Sequence, residues 1–166
     1  MRLRTLLLFA LLILLVYADP LFSRRNFGGR DLGGYSLPVE KAIHDAWSRG
    51  RVPVWLADIS GGRPLMPNPN SGVLYPVRPV LSLLPFPVAM RIFAVLHWIL
   101  AGFGMILLGD SLGLSAAGCW MGAVTYALSG VSISEVFYPN IHPGMALLPW
   151  MLWALNRRAS PTVRSP

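Results

Sequence analysis

Few residues in this chain have side chains able to do chemistry, and most of them lie outside its apolar stretches. Asp31 stands in the run Arg30-Asp-Leu-Gly-Gly-Tyr-Ser-Leu-Pro38, where Gly33 and Gly34 leave backbone room for a substrate to approach. A loop Asp serves a turn or a helix cap equally well. Glu135, in a second polar segment that ends at His142, could steer an acceptor or join Asp31 in holding a divalent cation. Two carboxylates and one imidazole make a thin donor set for a metal, and a solvated Glu with an interfacial His is the plainer reading. Asp58 is also borne on a loop, with nothing at its spacing to mark it out. Arg30, Arg63, Arg78 and Arg91 carry the planar donor fork that grips a phosphate, although lipid headgroups would occupy such side chains too. Cys119 is the single cysteine, so it allows no internal disulfide and no metal-site spacing, and it reads as a small packing residue.

The elements that must position these residues belong to a membrane protein. Hydrophobic residues make up 54% of the chain and charged residues only 13%, about half the usual share for a soluble domain, and mean hydropathy is +0.55. The net charge of +7 comes from scattered cations with no dense basic run interleaved with aromatics, which sets nucleic-acid binding aside. Four hydrophobic segments can be drawn. The first, within residues 1–22, is either a helix just long enough to span or a secretory signal, with Arg2 and Arg4 as its basic start and Val16 and Ala18 as a small-residue cleavage site. The second, 88–108, spans comfortably, with Arg91 snorkelling near its start and His97 near its middle. An ionisable residue at that depth is a functional candidate, while a neutral His bonded to a neighbouring helix is the commoner outcome. The third, 114–131, places Gly118 and Gly122 at GxxxG spacing and predicts a packing face. The fourth, 143–155, closes on Asn156-Arg157-Arg158. Arginines at both ends put both termini in the cytoplasm and the long loop, 23–87, outside the cytoplasmic membrane.

Within that loop the spacing predicts a surface helix over 37–49. Val39, Ala42, Ile43, Ala46 and Trp47 form one apolar stripe, and Glu40, Lys41, His44, Asp45 and Arg49 form a solvated face on which His44 is a bystander. The Gly- and Pro-rich run after Gly50 predicts an irregular, packed loop. Tyr75, Trp98, Tyr138, Trp150 and Trp153 read as interface anchors.

Taken in order, these features resemble a known family. A basic first helix is followed by an outer Asp and a Pro-initiated helix; then come Gly-x-x-Pro-x-Trp at 50–55, Gly-Arg-Pro-Leu at 62–65, Leu-Tyr-Pro at 74–76, and a second helix containing His97-Trp98. The chain is similar in this to the N-terminal part of the YfhO-like membrane proteins of the C-type glycosyltransferase superfamily, from about Arg2 to Trp153. The resemblance implies an all-helical enzyme that moves a sugar from a polyprenyl-phosphate donor to an acceptor outside the membrane. It implies Asp31 as the essential acid, a carboxylate that takes the proton from the attacking hydroxyl, with Glu135 as a second acid. It implies Arg30, Tyr35, Arg63, Tyr75 and His142 as substrate contacts, and the only cofactor it leaves room for is a divalent cation.

Members of that family are several times longer, so the expectation is an N-terminal fragment that relies on further transmembrane helices as partners and could be inactive alone. The fold expected is four transmembrane helices, a large extracytoplasmic loop carrying an interfacial helix, and a polar basic tail over 157–166. The rival is a non-enzymatic membrane subunit or anchor that binds a partner through the loop. A transporter fragment would need intramembrane charges lining a path, and apart from Arg91 the segments show none.

Overall fold

The structure, a computed structural model, describes residues 2–23, 27, 32–57 and 61–159. It is mostly helical. Helix α1 (Arg2–Val16) breaks at Tyr17 and restarts as the short α2 (Ala18–Phe22), in whose first turn Pro20 is tolerated because an N–H there has no partner to lose. A wide π-helical turn (Leu32–Ser36) leads into α3 (Leu37–Ser48), the predicted surface helix, with Pro38 in its first turn. The run expected to be irregular contains one small antiparallel ribbon, β1 (Trp55–Leu56) paired with β2 (Arg63–Pro64), in the register Trp55 to Pro64 and Leu56 to Arg63. A 3-10 turn (Pro69–Ser71) and the short α4 (Val77–Leu81) complete this cap. Then come α5 (Phe86–Ser111), α6 (Ala116–Ala127), α7 (Gly130–Ser134), a 3-10 turn (Glu135–Phe137) and α8 (His142–Ala159).

Two helical stretches among the described residues are long and apolar enough to cross a membrane, α5 and the stretch Ala116–Phe137. At 1.5 Å per residue α5 is about 39 Å long, more than the roughly 30 Å of a hydrocarbon core. The apolar part of α1, Leu3–Val16, falls short of that length. Helix α8 carries Pro149 inside it, which removes one backbone hydrogen bond.

Helix α5 is the hub. Phe9 and Ile13 of α1, Ala123 and Ala127 of α6, and Ala146 of α8 all join Ala94, Trp98, Ala101 and Ile106 of α5 in one core. The close approaches occur at the glycines of α5, not at Gly118 and Gly122 of α6. A Cβ on Gly102 would run into the Phe9 ring, and one on Gly104 would come within 2.7 Å of Trp150. By contrast, a Cβ on Gly118 would meet nothing nearer than 3.5 Å. Cys119 packs against Gly109, as a small packing residue should. Trp98 departs from its expected place at the interface. It is 1% exposed, stacks on Tyr17 at 3.9 Å between ring centroids, and donates its indole N–H to the Ser132 carbonyl. The cap has a second core, in which Val39 and Ile43 of α3 meet Leu56, Leu65 and Val73.

Candidate functional site

Within the cap, α3 and α4 are joined by a buried ion pair whose acid, Glu40, periodicity had placed in solvent. Glu40 follows Val39 on α3 and is buried with Val39 and Ile43, at 7% exposure. Its two carboxylate oxygens meet the guanidinium of Arg78 on α4, with Nη2 donating to Oε1 at 2.8 Å and Nη1 donating to Oε2. Burial raises the Glu40 carboxyl above its ordinary range, and the Arg78 charge and hydrogen bonds oppose that shift. Arg78 also lies 5.6 Å above the Phe93 ring of α5. Gly72 makes room for it: the backbone there has φ +57°, and a Cβ would stand 3.2 Å from Nη2. His44, expected to be a bystander, meets the Leu84 carbonyl through Nε2 at 2.9 Å and ties α3 to the turn before α5.

A second polar connection descends into α5. The Nδ1 of His97 lies 2.6 Å from the Phe93 carbonyl, which can only accept, so Nδ1 carries the proton. Nε2 is then an acceptor, and the Tyr75 hydroxyl donates to it at 2.7 Å. Tyr75 is therefore bonded inward through its hydroxyl, and burial raises that hydroxyl above its usual range. His142, at the start of α8, is also buried. Its Nε2 donates to the Ala94 carbonyl at 3.1 Å, which leaves Nδ1 as an acceptor, and its ring centroid lies 5.5 Å from that of His97.

Beside this pair lies an apolar cavity of about 150 Å³ at the junction of cap and bundle. Leu32 of the π-helical turn and Leu37 at the start of α3 line it on one side, Met90 and Ala94 wall it from α5, and Arg91 and His142 are its polar lining. Arg91 does not snorkel freely: its Nε donates to Pro87, and Nη1 donates to the carbonyls of Pro20, at 3.1 Å, and Ser23, holding the end of α2.

The other expected site residues divide. Asp31, Arg30 and Asp58 lie outside the described residues. Tyr35, on the π-helical turn, and Arg63, on β2, are brought together, with the guanidinium carbon 5.2 Å from the centre of the ring. Glu135 is half-buried on the 3-10 turn next to Val136, a residue of the cavity wall, and its Oε2 is a buried atom without a hydrogen-bond partner. Tyr75 and His142 both meet His97. Among the described residues no group of three or more His, Cys, Asp or Glu side chains could hold a metal ion. The Glu40–Arg78 pair escaped the sequence reading, because an acid one position off an apolar stripe looks the same whether it meets water or a buried arginine.

No family model and no solved structure matches the chain. It is 31% identical over 141 residues, 80% of its length, to a protein of Bacillus subtilis (strain 168) described as an uncharacterized MFS-type transporter, YubD. The match spans 26% of that protein, so the chain corresponds to about a quarter of the relative's length. With two apolar helices of spanning length, this similarity supports a place in the membrane. The resemblance to the YfhO-like proteins is not confirmed by these matches.

Proposed function

We propose that the chain is a membrane module of a glycosyltransferase, taking a sugar from a polyprenyl-phosphate donor to an acceptor outside the cytoplasmic membrane. In this reading α1 with α2 and α8 also cross the membrane, giving four spans with both termini inside and the cap outside. Further helices of a longer protein complete the bundle. Asp31 is the base toward the acceptor hydroxyl and Glu135 the second acid, with Arg30, Tyr35, Arg63 and His142 toward substrate and Tyr75 acting through His97.

The observation that carries this reading is the cavity. It is apolar, its polar lining is one cation and one imidazole, and it is lined in part by the turn that directly follows Asp31; in this reading it would sit where a lipid tail leaves the bilayer. A prenyl chain fits that chemistry and a free sugar does not. Its test is labelling with a photoreactive prenyl phosphate. The label is expected on peptides containing Met90, and Ala94→Phe, which fills the cavity, is expected to remove it. Labelling that ignores Ala94→Phe contradicts the reading.

The similarity to YubD favours a second reading, a part of a transporter. There the buried His97 and His142 would stand beside a substrate path, and labelling at Met90 would not depend on a prenyl chain.

A further inference from the structure

Of the four arginines suited to a phosphate, the structure separates one from the rest. Arg78 gives both Nη atoms to Glu40 and keeps only its Nε without a partner, and Arg91 is held by three backbone carbonyls. Arg30 lies outside the described residues. Arg63 has Nε and Nη2 buried and without any hydrogen-bond partner.

Those two nitrogens are a particular pair. Nε–H and the adjacent Nη2–H point the same way from the guanidinium and form its side-on fork, spaced to meet two oxygens of one anion. Arg63 is half-buried as a residue, but two shielded donors of one fork left unfilled are costly, and native proteins rarely leave such groups without a partner, an ion or a water. Its backbone and its ring contact position the guanidinium. Residue 63 is held by the ribbon pairing with Leu56, whose side chain is anchored in the cap core, and the guanidinium lies over the Tyr35 ring, which a cation favours electrostatically. Tyr35 is itself 47% exposed, so the stacked pair borders solvent.

We propose that Arg63, oriented by Tyr35, is an oxyanion-binding residue whose side-on fork takes two oxygens of a phosphate group. The site stands on the geometry of Arg63, while its assignment to a donor phosphate rests on the transferase reading. The phosphate could be carried by a lipid headgroup or belong to a soluble phosphate compound, and the two sources are separable by experiment.

The test uses the full chain in lipid nanodiscs, with unfolding temperature followed by tryptophan fluorescence. One series uses neutral phosphatidylcholine discs titrated with inorganic phosphate against chloride at matched ionic strength. The other compares phosphatidylcholine discs with discs containing phosphatidylglycerol. A saturable rise with inorganic phosphate, or a rise with phosphatidylglycerol alone, supports the site and names its source. In either case Arg63→Ala is expected to abolish the rise. Arg63→Lys keeps the charge without the fork and is expected to bind about ten-fold or more weakly, the worth of one hydrogen bond to a charged group. No rise in either series, or the same rise in both variants as in the parent, overturns the proposal. Phosphate binding at Arg63 in a protein without transferase activity would retain this inference and remove the reading above.

Discussion

At the scale of single residues, the Glu40–Arg78 pair ties α3 to α4 inside the cap. Taking two charges out of water is costly, and removing one partner leaves the other buried and unpaired, an effect of about 3–5 kcal/mol. Glu40→Gln is therefore expected to lower stability in detergent by that order. The double variant Glu40→Met with Arg78→Met is expected to lie near the parent or above it, because an apolar pair of similar volume removes both desolvation costs. Chemical unfolding of the three proteins checks this, and a double variant as unstable as Glu40→Gln would show that the pair is worth more than its burial costs. Tyr75→Phe is expected to cost about 1–3 kcal/mol by leaving Nε2 of His97 buried without a donor. A cost near zero would mean that water replaces the hydroxyl. The sequence made His97 and Tyr75 visible as candidates separately, but 22 positions part them and nothing in either local pattern says that they meet.

At the scale of elements, the strongly patterned segments were legible. The surface helix begins and ends within a residue of its expected bounds, because a proline in its first turn and Gly50 after it punctuate a clear apolar stripe. The long α5 was plain from its unbroken hydrophobicity. Contacts between helices were not legible, since GxxxG spacing is common in apolar helices and does not say which partner approaches. The structure moves the close approach from Gly118 to Gly102 and Gly104. Gly102→Ala is expected to destabilise by about 1–3 kcal/mol, because Phe9 must move out of the core. Gly118→Ala is expected to be neutral or to stabilise slightly, since alanine is the better helix former and has room there. Parallel unfolding of the two variants decides between the faces, and the reverse order would return the packing to α6. The break at Tyr17 and the ribbon after Gly50 were hidden for a related reason: both depend on what the segments pack against, which composition does not carry.

At the scale of the whole molecule, two cores are stacked through a polar junction, with an apolar cavity beside it. One is an aromatic and alanine core centred on α5, and the other a small aliphatic core under α3. Composition alone was enough to indicate a membrane chain, and the helices of spanning length agree with it. The cavity was not legible, because its walls come from the π-helical turn, the start of α3, α5 and the residues around the start of α8, brought together only by the fold. Its nearness in sequence to Asp31 ties the structural observations to the proposed chemistry. The most direct test is transfer of a labelled sugar from total polyprenyl-linked donors in membranes expressing this chain, beside Asp31→Asn at equal expression. The account predicts that transfer supported by the parent, alone or with its completing helices, is lost in Asp31→Asn, and transfer undiminished in Asp31→Asn would contradict it.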